Sequence, residues 1–81
     1  MKQGVYKHFK GGTVEVLFVA HHSETLEDMV VYKALYECRD FGLGSLWVRP
    51  KKMFLEEVEV DGQKVPRFKY VGDEPDKSEQ N

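Results

Sequence analysis

His22, Ser23 and Glu24 stand in a row within AHHSETLEDMVVYKALYE, residues 20–37, and bring together an imidazole, a hydroxyl and a carboxylate. These are the parts of a hydrolytic or acid–base site. Serine catalysis needs an exposed hydroxyl, a base within hydrogen-bond reach and an oxyanion site, and adjacency in sequence supplies none of them. Consecutive residues of a strand point to opposite faces, and Ser23 lies in no Gly-x-Ser-x-Gly elbow. The competing reading is local: Ser23 or Thr25 caps a turn over residues 25–28 and satisfies backbone N–H groups there. Metal binding is weaker still. His8, His21 and His22 show no His-x-His or His-x-x-x-His spacing, and Cys38 is the only cysteine. The sequence asks for no metal and no cofactor.

A second group carries a different chemistry. Trp47 and Arg49 alternate along LWVRP, and Arg67 precedes Phe68. An aromatic surface beside a guanidinium stacks on a planar group and grips an anion. With Leu46 and Val48 buried, Trp47 and Arg49 would point outward or into a groove. Internal pairing of Arg49 or Arg67 with Glu24, Glu56, Glu57 or Glu59 is the alternative. Tyr32 and Tyr36 flank the small Ala34 at strand spacing, which would leave a slot between two rings. The ligand-binding candidates are thus His22, Ser23, Glu24, Thr25, Tyr32, Trp47, Arg49 and Arg67.

The elements that must position them read mainly as strands. TVEVLFVA, residues 13–20, alternates Val14, Val16, Phe18 and Ala20 on one face. Residues 29–36 fit a strand better than a helix, because a helix would put Lys33 in its apolar stripe and spend Val30, Val31 and Tyr32 on a conformation they disfavour. Gly11-Gly12 marks a turn, and the segment before it reads as a wrap along one edge. CRDFGLGSL, residues 38–46, reads as a loop, and KKMFLEE as a short helical or bulged corner. Asp61-Gly62 is a hairpin signal, while Pro66 places the second arm at an edge or bulge.

Eighty-one residues allow one domain and one small core. Apolar residues at 41% and charged residues at 32% describe a globular chain rather than a disordered one. The net charge of −2 is uneven: DEPDKSE, residues 73–79, holds four of the fourteen acids and one of the twelve Lys and Arg. The rest is close to neutral, so no global attraction to nucleic acid or anionic lipid is indicated. The longest apolar run, Val16 to Ala20, is too short to span a bilayer, and a single cysteine suits a reducing compartment. The expectation is a cytoplasmic protein that does not enter membranes, folded over residues 1–71, with an acidic, disordered tail over 72–81.

Four strings, GVYKHFKGG, VAHHSETLEDMVVYKALY, LWVRPKKMF and VPRF, resemble small bacterial proteins catalogued as domain-of-unknown-function family 1653. The resemblance spans about residues 4–71. His22 matches the family's histidine before Ser-Glu-Thr, His21 and Cys38 fall on variable positions, and the Cys38–Ser45 loop is longer than the family's usual connection. The resemblance implies an SH3-like β-barrel and no established activity.

Five or so short strands and no helix longer than two turns lead to the same expectation: an all-β, small SH3-like barrel with one short helical turn, closed because an open sheet of this size would expose its edges. In function, the sequence points to a small binding module for a nucleotide, single-stranded nucleic acid or other anionic ligand. Two alternatives stay open: a protein-interaction or homodimerising unit, and a small enzyme using His22 and Glu24.

Overall fold

The computed structural model describes residues 1–73; residues 74–81, most of the expected acidic tail, lie outside the described residues. The chain runs β1 (Gly4–His8), β2 (Thr13–His21), β3 (Asp28–Ala34), β4 (Glu37–Cys38), β5 (Gly42–Leu43), β6 (Leu46–Pro50), α1 (Lys51–Phe54), β7 (Glu57–Val60), β8 (Gln63–Pro66) and β9 (Phe68–Gly72). Five strands form one antiparallel sheet in the order β6-β3-β2-β1-β9, while β4–β5 and β7–β8 are separate two-stranded ladders.

Residues 29–34 are strand, as the β-branched run requires, and Val30, Tyr32 and Ala34 are buried along one face. The segment before Gly11-Gly12 is not an edge wrap. It becomes β1, an inner strand between β2 and β9, because the tight turn returns the chain at once and the His8 N–H closes it on the Gly12 carbonyl at 2.6 Å. At its start Gly4 has φ 132°, and a Cβ there would stand 2.6 Å from the Gly72 carbonyl oxygen. Gly4→Ala is therefore expected to cost about 1–3 kcal/mol, read as a lowered thermal unfolding midpoint.

β2 contains a bulge. The register passes from Val16↔Tyr32 to Phe18↔Val31, which leaves Leu17 as the extra residue. The Gln3 side-chain amide donates to the Leu17 carbonyl. A one-residue slip reverses every later side chain. Phe18, expected beside Val14 and Val16, is instead on the opposite face and 53% exposed.

The faces of β6 are also the reverse of expectation. Its register pairs Trp47 with Tyr32 and Arg49 with Val30. Since Tyr32 and Val30 face the core, Trp47 and Arg49 do too, and Leu46 and Val48 are the exposed pair, at 64% and 61%. Apolarity alone pointed the wrong way because β3 dictates the facing.

The expected closed SH3-like barrel is not formed; the sheets are open. Residues 57–66, which would have to bridge β6 and β9, pair with themselves as β7–β8 around Asp61-Gly62, both with positive φ as a two-residue hairpin turn demands. Among the described residues β6 pairs only with β3, and β9 only with β1. Closure is unnecessary for burial because α1 plugs the inner face. Phe54, fully buried, stacks on Phe68 with ring centres 4.1 Å apart and meets Tyr6 edge-on at 5.3 Å and Tyr32 at 5.8 Å. Val14, Val16 and Val30 complete the cluster, with Trp47 and Tyr70 packed on it. Among the described residues no helix covers the outer face as α1 covers the inner one, and the cross-strand row Phe18–Val31–Val48 lies along it. No helix among the described residues is long and apolar enough to cross a membrane.

Candidate functional site

On the inner face, beside the aromatic plug, lies a cavity of about 260 Å³. β1 contributes His8, the turn after it Lys10 and Gly12, β2 Val14, β3 Tyr32, β6 Arg49 and β9 Phe68; Tyr36 follows β3. β1 lies between β2 and β9, so residues distant in sequence meet here.

Arg49 reaches this place because its partner Val30 faces inward. Its guanidinium carbon lies 5.4 Å from the centre of the Phe68 ring, within cation–π range. Phe68 is itself fixed by the Phe54 stack and by the His8 ring, edge-on at 4.8 Å. No carboxylate stands within ion-pair distance of Arg49 among the described residues. Its charge is therefore held on an aromatic surface without a counter-ion among the described residues.

His8 accepts the backbone N–H of Lys10 at Nδ1, 3.1 Å away. A neutral ring thus carries its proton on Nε2 and retains a donor. Burial, and then the positive charges of Arg49, Arg67 and Lys10, hold the His8 pKa below the usual 6.5. Tyr36 is displaced upward, first by burial, so its phenol stays protonated at neutral pH. The cavity wall therefore offers a guanidinium, an ammonium and neutral hydrogen-bonding groups, with no carboxylate among its lining residues.

The other sequence-derived candidates lie elsewhere. Arg67 donates from Nη2 to the Glu56 carboxylate at 2.8 Å, and its backbone N–H reaches the Glu56 carbonyl at 2.9 Å. Internal pairing therefore accounts for Arg67 but not for Arg49. The Trp47 indole N–H donates to Ser45 Oγ at 2.8 Å, Ser45 in turn reaches Cys38 Sγ at 3.2 Å, and Phe41 packs edge-on at 5.1 Å. Trp47 thus ties the β4–β5 excursion to the core and is not part of the cavity wall. His22, Ser23, Glu24 and Thr25 form the β2–β3 turn. His22 Nδ1 accepts the N–H groups of Glu24 and Thr25, at 3.1 and 3.3 Å, and Thr25 Oγ1 accepts that of Glu27 at 3.2 Å. Ser23 donates to the Glu24 carboxylate at 2.8 Å. The cap is mainly the histidine ring rather than Ser23, and none of the four lines the Arg49 cavity.

Of the candidates, the cavity thus unites Tyr32 and Arg49, and adds His8, Lys10, Tyr36 and Phe68. The signal for the additions lay in YKHFKGG, where aromatic and basic residues crowd a turn, and in Phe68 next to Arg67.

A family model described as "Protein of unknown function (DUF1653)" matches residues 4–70. A crystal structure of a protein belonging to DUF1653 from Bordetella bronchiseptica is similar over 90% of both chains, at 38% identity and a TM-score of 0.79. No curated protein matches the chain. Both the motif strings and the shape they fold into thus lead to one grouping, and the chain belongs to the DUF1653 family.

Proposed function

We propose that this protein is a binding module for a small anionic ligand with a planar group, held in the Arg49 cavity. The observation that carries the reading is Arg49 itself: a cation stacked on Phe68, beside His8 and Lys10, with no internal counter-ion among the described residues. An anion would take the guanidinium and the Lys10 ammonium, while a planar group would lie against Tyr32, Tyr36 or Phe68. About 260 Å³ leaves room for one small planar group rather than a run of strand, and a net charge of −2 gives no long-range pull on a polyanion. Titration with a nucleoside monophosphate, followed by amide NMR, is the test. Saturable shifts at His8, Tyr32, Tyr36 and Arg49 are expected, and their absence at millimolar ligand would sink the reading.

His8 makes the reading pH-sensitive. Its folded pKa is depressed, so below about pH 6.5 the unfolded chain takes up more protons than the folded one. Its contribution to stability is complete above that pH and is lost as pH falls through the depressed folded value. A bound anion would favour the protonated ring. Between pH 7.5 and 5.5, affinity for an anion whose own charge is constant over that range is therefore expected to rise while the unfolding midpoint of the free protein falls. Titrations and thermal melts over that range check both directions.

A second reading, self-association, is favoured by one observation: the row Phe18–Val31–Val48, with Phe18 and Val48 exposed and Val31 half-buried, beside a β6 edge that pairs with no other strand among the described residues. Light scattering at several concentrations would show twice the 9.4 kDa chain mass if it holds; a strict monomer removes it.

A further inference from the structure

The sheet's outer face carries a second and larger cavity, of about 510 Å³, that the Arg49 site does not explain. Its apolar walls are Phe9, Val60, Val65, Pro66 and Val71, drawn from the turn after β1, the β7–β8 hairpin and β9. Two lysines, Lys7 and Lys69, join them, with His8, which this cavity shares with the Arg49 site.

These lysines are directly opposite one another in the β1–β9 register. Like charges in that position repel. Lys7's other cross-strand neighbour is Thr13, which offers no charge, and neither lysine makes an ion pair among the described residues. The same sheet pairs unlike charges elsewhere: Glu15 stands opposite Lys33, with their charged atoms 3.7 Å apart. An arrangement that costs the free protein stability, next to uncovered apolar surface, suits an occupant that supplies the missing anion.

We infer that this groove binds a small amphipathic carboxylate, with an anionic head between Lys7 and Lys69 and an apolar body along Phe9, Val60, Val65 and Val71. Paired ammonium groups are point charges that suit a single compact head. Apart from His8 the remaining walls are apolar and ask for one continuous apolar body, and the volume lies within the range of small-molecule sites. An acidic peptide would instead spread its charges at alternate residues, where the groove offers, beyond the lysines, only His8 and apolar partners.

Sodium octanoate is the probe, with 1-octanol and sodium acetate as its apolar and anionic halves, each followed by amide NMR. Octanoate is expected to give saturable shifts at Lys7, Phe9, Val60, Val65, Lys69 and Val71, with each half at least about tenfold weaker. Lys69→Glu places opposite charges across the strands. It should raise the thermal midpoint by about 1–6 °C while weakening octanoate at least about tenfold. Lys7→Gln should weaken octanoate without that stabilisation. Equal binding of octanol, undiminished binding by either variant, shifts confined to the Arg49 cavity, or a response only to a Glu-Val repeat peptide would each overturn the inference.

Discussion

Phe54→Ala is expected to destabilise the protein by about 3–5 kcal/mol, measured as a lowered midpoint in urea with Trp47 fluorescence as the signal. A domain of this size has only about 5–15 kcal/mol in hand, so the variant would be at the edge of folding. The size of the effect follows from what Phe54 does. It is the only buried residue of α1, and a four-residue helix has no stability of its own. Truncating the ring opens a void against Phe68, Tyr6 and Tyr32 and removes what holds α1 to the sheet. In a closed barrel, opposite walls would share that burden. In an open sheet one side chain bears it, and a loss below about 1 kcal/mol would show that the core is organised elsewhere.

Arg49→Gln is expected to do the opposite: little to the fold and much to the ligand. With no ion pair among the described residues to lose, the variant should unfold within a few degrees of the parent, as is usual for partly exposed substitutions. A hydrogen bond to a charged group is worth about 1.5–3 kcal/mol, so affinity for a nucleoside monophosphate should fall about 10- to 150-fold. Arg67→Gln provides the contrast, since it removes the half-buried ion pair with Glu56 and should disturb stability before binding. If Arg49→Gln left the titration unchanged, the Arg49 cavity would not be the binding site.

Local preference carried the sequence reading where neighbours in the chain decide the outcome. The run Met29–Ala34 chose strand over helix on β-branching, although the expected strand stops two residues short of Tyr36, and Asp61-Gly62 chose its hairpin on φ. Long-range register decided the rest. Nothing in LWVRP says which face of β6 meets β3, and the exposed Leu46 and Val48 are the more apolar residues of the strand. The Leu17 bulge has no local signature either, as both faces of TVEVLFVA are mostly apolar. Closure was expected because an open sheet would expose its edges, but Phe54 removes the need on the inner face and the outer face stays open. Tyr32 and Arg49 were legible as candidates because their chemistry is intrinsic. Their company was not, because His8 and Phe68 arrive only through β1 pairing with both β2 and β9.

The edge of β6, which pairs with no further strand among the described residues, sets a rhythm of solvent exchange along a single strand. The Ala34 N–H bonds to the Ser45 carbonyl at 2.9 Å, so in an unbroken antiparallel ladder Trp47 and Arg49 are the residues bonded to β3. The amides of Leu46 and Val48 then face water. In deuterated buffer the Val48 amide should exchange orders of magnitude faster than those of Trp47 and Arg49, its immediate neighbours. A second chain laid along β6 would erase that alternation, so Val48 reports on any partner that pairs there.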